Sequence, residues 1–348
     1  MTHEHESRLP DVSDRYLILG STASPYATKL RSVMRYRRIA HDWRVMGKSG
    51  RQATADIKPG LIPMIRKPGG TDWQTDTSVI IQDLEQDHQA RSVFPEDPAL
   101  RFLCQLLEDM ADEWAVKPLF WYRWADPQDQ AYVSRWAGAE WGTSHAPSGT
   151  AEEAAEFRGR QVDRMPIIGA HPDNASLLEE CFRRMLDAFE PHVGLENYLF
   201  GSRPSVADFA WASQLGQMAV DPTPMAIMRE RAPQTDLWCR RVDDCSGVEG
   251  QWDDLDQVLA GPATALLQLA GQVYLPFLIA NRDAYQQGAE WMSFSALGHP
   301  YRQAPFKYQM KCLAALQQGL RDLPDEERLR LEPILRKTHC WKILSMSN

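Results

Sequence analysis

The 348-residue sequence predicts an α/β domain over residues 14–92, an all-α domain over 93–248 and a further helical extension over 249–348. Three observations carry this reading. Short apolar runs alternate with helix-spaced stripes between 14 and 92. From 93 to 248 apolar residues recur almost only at helical spacing. Beyond 249, a long uncharged segment and an amphipathic stripe flank a loop rich in proline and aromatics. The length fits two or three domains at roughly 100–200 residues each.

In the first zone, Tyr16-Leu17-Ile18-Leu19 is a buried strand ended by Gly20. Ser24-Pro25 opens a helix reaching about Arg38, since Ser is a good N-cap and Pro suits the first helical position. Leu30, Val33, Met34 and Arg37 recur along it. His41-Asp42-Trp43-Arg44-Val45 alternates like a second strand, and a polar loop follows. Leu61-Ile62-Pro63-Met64-Ile65 is an apolar run whose proline marks an edge, a strand start or a special peptide geometry. Gly69-Gly70 turns between two short strands, and Asp76-Thr77-Ser78 caps a helix carrying Ile80, Ile81 and Leu84. The order is β-α-β, then β-β-α.

The second zone opens with a stripe of Leu100, Leu103, Leu106, Leu107 and Met110, continuing into Trp114 and Phe120-Trp121-Tyr122-Arg123-Trp124. A polar stretch from Gly142 to Glu152 interrupts it, and Asp173-Asn174 caps a helix with Leu177, Leu178, Phe182 and Met185. Ser205 and Asp208 have the spacing of a capping box before another apolar helix. In the third zone, residues 257–281 carry no charge and are long enough to span a bilayer. Gln257, Gln268, Gln272 and Asn281 interrupt them, and Pro276 is expected to break the helix near its end. Polar side chains are costly in hydrocarbon, so a buried core helix is expected and no membrane association. Residues 298–306 read as a loop, and Met310, Leu313, Leu316 and Leu320 as a helical stripe.

Composition excludes several classes. A net charge of −9 argues against sequence-independent nucleic-acid binding, which needs a dominant basic surface. Six cysteines without a CxxC pair, and nine histidines without HxxxH, suggest neither a disulfide scaffold nor a zinc site. The N-terminus, with His3 and His5 in a charged tail expected to be disordered, lacks an apolar signal region, so a cytoplasmic protein is expected.

The first two zones resemble the glutathione transferase superfamily, which joins a thioredoxin-like domain to an all-helical one. Ser21-Thr22-Ala23-Ser24-Pro25-Tyr26 resembles that family's thiol-activating loop, and Ile62-Pro63 stands where it has a cis-proline. Asp76-Thr77-x-x-Ile80-x-x-x-Leu84-Glu85 resembles its [ED]-S-x-x-I-x-x-x-L-E segment, and Ser205-x-x-Asp208 the capping box of its helical core. The match covers about residues 14–245 and leaves the last hundred outside the family pattern.

The resemblance implies glutathione as co-substrate, ionised to a thiolate. A thiol of pKa ~8.5 is mostly protonated at neutral pH, and lowering that value by two units takes ~2.7 kcal/mol. One hydrogen bond to a charged acceptor supplies ~1.5–3 kcal/mol, and a helix N-terminus ~0.3–1 kcal/mol. One hydroxyl at such a terminus is therefore sufficient, and Ser24 is placed to be it. Thioredoxin-like redox relatives carry cysteine there, and serine cannot form a mixed disulfide. Ser21, Thr22 and Tyr26 compete for the role, and Ser24 as a helix cap alone is the alternative. Asp76 and Thr77 are expected to bind the γ-glutamyl end, the helix terminus taking its carboxylate and the aspartate its ammonium, unless they only cap the helix. Ile62 and Pro63 would offer backbone groups to the cysteinyl part, with a plain strand-edge proline as the alternative. Lys48 or Arg51 would pair with the glycyl carboxylate.

Eight basic residues against one acidic between 28 and 51 would attract an anionic tripeptide, or form a solvated helix face. A small, largely apolar electrophile is expected between the domains, with Trp114, Trp121, Tyr122 and Trp124 as candidate walls, although such a stripe also suits a core. Asp109, Asp112 and Glu113 read as a solvated helix face. The expected activity is glutathione transfer by a serine-type enzyme; a glutathione-dependent lyase or isomerase, or a non-catalytic binding scaffold, are the alternatives. Homodimerisation is implied by the resemblance alone.

Overall fold

β1 (Tyr16–Gly20) sits inside the N-terminal sheet because it is apolar on both faces, with Leu17, Ile18 and Leu19 fully buried. It pairs in parallel with β2 (His41–Val45), Tyr16 opposite His41, and antiparallel with β3 (Met64–Arg66), Ile18 opposite Ile65. β3 pairs antiparallel with β4 (Trp73–Gln74), giving the order β2-β1-β3-β4. α1 (Pro25–Tyr36) connects β1 to β2, and α3 (Thr77–Asp87) follows β4. The polar loop expected after β2 contains a short helix, α2 (Gly47–Ala53). This is the thioredoxin-like order the sequence predicts. The computed structural model describes residue 9 and residues 12–141, 150–194 and 197–346. The N-terminal tail with His3 and His5 lies outside them.

A helical array follows. α4 (Pro98–Met110) runs through a π-helical turn, Ala111–Ala115, into α5 (Val116–Ala125) and then α6 (Pro127–Trp141). Residues 142–149 of the expected polar interruption lie outside the described residues. Its end, Thr150, forms a reciprocal cap with Glu153 at the start of α7 (Ala151–Val162). α8 (Met165–Ile168), α9 (Ala175–Phe189), α10 (Val206–Met218), α11 (Pro222–Arg231) and α12 (Pro233–Val242) complete the array. The Ser205–Asp208 capping box forms: the Ser205 N–H donates to Asp208 Oδ2 at 2.8 Å, and the Asp208 N–H to Ser205 Oγ at 3.3 Å. Asn174 does not cap α9 with its side chain. Its amide instead donates to the Arg302 carbonyl at 2.8 Å and accepts the Arg302 N–H at 2.9 Å, gripping a distant strand.

That strand belongs to the extension. α13 (Leu255–Ala260) and α14 (Pro262–Leu269) lead through a second π-helical turn, Ala270–Tyr274, into α15 (Leu275–Gln286). Pro276 was expected to end this helix, yet the helix spans Pro262–Gln286 without interruption. The wider π turn just ahead accommodates a residue that lacks an N–H. Among the described residues it is the helix long and apolar enough to cross a membrane, but 61% of its apolar window is buried inside the fold, which makes it a core helix. β5 (Met292–Ala296) and β6 (His299–Gln303) form a hairpin turning at Leu297 and Gly298, both with positive φ. The expected loop is therefore partly strand, and the extension is not wholly helical. α16 (Lys307–Asp322), α17 (Asp325–Lys337) and α18 (Trp341–Leu344) finish the chain.

Candidate active site

The sheet gathers three short segments at one end. Leu19 pairs with Met64, so the turn after Gly20 lies beside Ile62 and Pro63. Ile65 pairs with Gln74 on an antiparallel strand, so Asp76 returns to that same end. The Ile62–Pro63 bond is cis and Pro63 is buried. Neither the N–H nor the C=O of Ile62 makes a backbone hydrogen bond among the described residues. Open ends of such sheets, where strands meet helix N-termini, are common ligand sites.

Ser24 caps α1, its Oγ accepting the Ala27 N–H at 3.3 Å. Among the described residues, the Ser24 hydroxyl donates to no acceptor. Its competitors are engaged elsewhere. Ser21 Oγ donates to Glu140 Oε2 at 2.7 Å, the Thr22 N–H donates to the same oxygen at 3.0 Å, and Thr22 Oγ1 donates to Glu140 Oε1. The half-buried Tyr26 turns away, its hydroxyl donating to the Asp112 carbonyl in the π turn at 2.8 Å. The helical array also fixes the turn's backbone: Gln217 Nε2 donates to the Thr22 carbonyl at 2.8 Å and Arg123 Nη1 to the Ala23 carbonyl at 2.9 Å. Glu140 belongs to no motif and lies more than a hundred residues away, so local sequence carries no signal for it.

Asp76 caps α3 with φ +77°, a conformation unusual for a residue with a side chain, and accepts the Ser78 N–H at 3.2 Å. Thr77, the first helical residue, is buried. Ser78 Oγ donates to Glu108 at 2.7 Å. Tyr308, from the extension, donates its hydroxyl to Asp76 Oδ2 at 3.0 Å. Lys48 is exposed, whereas Arg51 stacks on Trp141 at 4.2 Å from the ring centroid. The extension thus reaches the site through the first turn of α16, just past the segment expected as a loop. Asn281 brackets Phe306 there, accepting its N–H at 2.7 Å and donating to its carbonyl at 2.9 Å.

Three further expectations change. Asp109, Asp112 and Glu113 are not a solvated face. Asp112 is buried against Lys29 and Tyr26 of α1, and the other two are partly covered by the extension through Tyr274 and Gln309. Burial pushes the Asp109 carboxyl up to about 7 despite the hydrogen bond it accepts from Tyr274 at 2.5 Å. Burial, together with Asp109, raises Glu113 to about 7. Trp114 is not a pocket wall: it is fully buried against Phe277, Phe294 and Tyr301 of the extension, with ring centroids 5.2, 6.3 and 5.4 Å away. Tyr122 and Trp124 are also buried, and Trp121 is half-buried with its indole N–H on Glu179 at 3.1 Å.

The basic stretch of 28–51 is largely committed to ion pairs. Lys29 contacts Glu108 and Asp112, Arg31 and Arg35 meet Asp243 at 2.7 Å each, and Arg38 meets Glu249 at 2.7 Å. These pairs join α1 to the helical array and the segment after it.

Residues 19–92 match the family model of the glutathione S-transferase N-terminal domain, and residues 154–241 that of the glutathione S-transferase C-terminal domain. No protein of curated function matches the chain. Among solved structures, it is similar to a glutathione S-transferase from Methylobacterium radiotolerans in complex with glutathione sulfonate, at 18% identity over 70% of this chain and 98% of that one, with a TM-score of 0.42. A beta-etherase from Sphingobium sp. strain SYK-6 is 15% identical over 66% of this chain and 94% of its own, with a TM-score of 0.46. A glutathione S-transferase from Methylobacillus flagellatus with glutathione bound is 21% identical over 65% and 93%, with a TM-score of 0.38.

Proposed function

We propose that this chain, which belongs to the glutathione transferase superfamily, binds glutathione at the end of its N-terminal sheet and presents the sulfur as a thiolate to a small, largely apolar electrophile. The observation that carries this reading is the convergence of Ser24, Ile62-Pro63 and Asp76-Thr77 on one sheet end. Ser24 supplies a hydroxyl proton at a helix N-terminus, where partial positive charge favours an anion. Ile62 offers an N–H and a C=O to the cysteinyl backbone. The N-terminus of α3 and the Thr77 hydroxyl receive the γ-glutamyl carboxylate, and Asp76 its ammonium. Exposed Lys48 faces the glycyl carboxylate electrostatically. Calorimetric titration with glutathione tests binding, and ultraviolet difference absorbance of the complex at neutral pH tests for thiolate. Saturable binding with thiolate absorbance supports the reading; no heat at millimolar glutathione overturns it.

A second reading, a glutathione-binding scaffold without transferase activity, is favoured by Glu140. A carboxylate about 4 Å from a thiolate opposes it by about 4 kcal/mol at an effective dielectric near 20. One charge-assisted hydrogen bond returns only ~1.5–3 kcal/mol. With Glu140 in place, bound glutathione would stay a thiol. Turnover of an activated aryl halide with glutathione separates the two readings.

A further inference from the structure

We propose that Glu140 is an internal ligand of the turn at residues 21–24, and that incoming glutathione has to displace it before its sulfur can ionise. The proposal rests on the reading of this turn as the thiol site. Two hydroxyls and one backbone N–H converge on this one carboxylate: Ser21 Oγ at 2.7 Å, the Thr22 N–H at 3.0 Å and Thr22 Oγ1. That donor set is what an anion needs, and it lies on the turn that leads into the N-terminus of α1. Glu140 sits on Ser21 and Thr22, so a thiolate taken up by the Ser24 hydroxyl would be a second anion on the same four-residue turn, and two like charges that close disfavour one another's ionised forms. No Lys or Arg among the described residues forms an ion pair with Glu140, so the donors of the turn are what hold its carboxylate.

The turn keeps its shape without Glu140. The Ser24 N–H donates to the Ser21 carbonyl at 3.1 Å and the Ala23 N–H to Ser21 Oγ at 3.1 Å, while Gln217 and Arg123 hold the neighbouring carbonyls. The donors are therefore preorganised, and the carboxylate from α6 occupies them as a foreign anion would. Two states alternate on the same preorganised turn: Glu140 docked, or a thiolate docked with Glu140 withdrawn. The helical array thereby regulates a site built on the other domain.

Glu140→Gln and Glu140→Ala in the full chain test this with two readouts. Calorimetry with glutathione at neutral pH is expected to show both variants binding about tenfold more tightly than the parent, as removal of a competing ligand requires. Hydrogen exchange of the peptide containing Thr22 is expected to speed up in both variants without glutathione. Equal or weaker glutathione binding in both variants, with the parent still binding, overturns the displacement and leaves the glutathione reading standing. Unchanged exchange at Thr22 overturns the docked state itself. No binding by any of the three proteins overturns both readings.

Discussion

The Lys29 ammonium stands 2.6 Å from the Asp112 carboxylate and also contacts Glu108, so one buried cation on α1 joins the α/β domain to the helical array. Burial pulls its proton affinity down, and Asp112 and Glu108 more than reverse the effect, leaving Lys29 charged. Lys29→Met would leave two carboxylates facing each other without a counter-ion. Breaking a buried pair in this way typically costs about 3–5 kcal/mol. Urea unfolding is expected to show a loss of that order.

Ser24→Ala removes both a helix cap and the uncommitted hydroxyl. The cap is worth ~1 kcal/mol, which denaturant unfolding would register. Thiolate absorbance of bound glutathione is expected to vanish while binding persists, since the γ-glutamyl contacts proposed for Asp76 and Thr77 do not involve Ser24. Full absorbance in the variant would move the role to another donor.

Tyr308→Phe deletes the hydroxyl that donates to Asp76 at 3.0 Å. If Asp76 pairs with the γ-glutamyl ammonium, the freed oxygen should tighten glutathione binding about tenfold, a hydrogen bond to a charged group being worth at least ~1.5 kcal/mol net. Asp76→Asn should weaken binding by about tenfold, as loss of a charge-assisted contact does. Calorimetry on both variants checks the opposed signs.

Asp109 gives stability a pH dependence. Burial raises its carboxyl to about 7 in the folded chain, against about 4 when unfolded. Between those values the folded state holds a proton that the unfolded chain has released. Stability contributed by the neutral acid is complete below pH ~4, falls as pH rises, and is gone above ~7. At about 1.4 kcal/mol per pH unit, the window spans roughly 4 kcal/mol. Asp109→Asn, which keeps an acceptor for Tyr274, is expected to flatten this slope in urea titrations run across the window.

Two glycines should respond oppositely to alanine. At Gly271, within the second π turn, a Cβ would lie 1.8 Å from the Thr338 carbonyl oxygen. At Gly159 in α7 it would meet open space. Gly159→Ala should stabilise by about 0.5–1 kcal/mol through helix propensity. Gly271→Ala should destabilise by about 1–3 kcal/mol through overpacking. Thermal melts of the two variants make the comparison.

What could be read from the residues was local. Ser24-Pro25, Asp76-Thr77 and Ser205–Asp208 are caps whose partners lie within three residues, and each forms. β1 was legible because an apolar run buried on both faces has few other uses. Partners distant in sequence were hidden. Glu140 reaches Thr22 across 118 residues and Tyr308 reaches Asp76 across 232, and no periodicity encodes either meeting. The acidic run 108–113 misled because a regular helix with those spacings would turn charges outward. The π turn at Ala111–Ala115 shifts the register, Lys29 of α1 pairs with Glu108 and Asp112, and the extension covers Asp109 and Glu113. Pro300 disguised β6, since a proline is uncommon in a strand that pairs.

Trp114 shows how the three zones are bound together. Its indole sits on the helical array, yet its aromatic neighbours Phe277, Phe294 and Tyr301 all arrive from beyond residue 249. Shearing off the last hundred residues would uncover the largest ring in that interior and strip the shield from Asp109 and Glu113. The last hundred residues therefore act as a keystone for the helical array, and their loss should yield a sticky, partly collapsed remnant rather than a smaller well-packed protein.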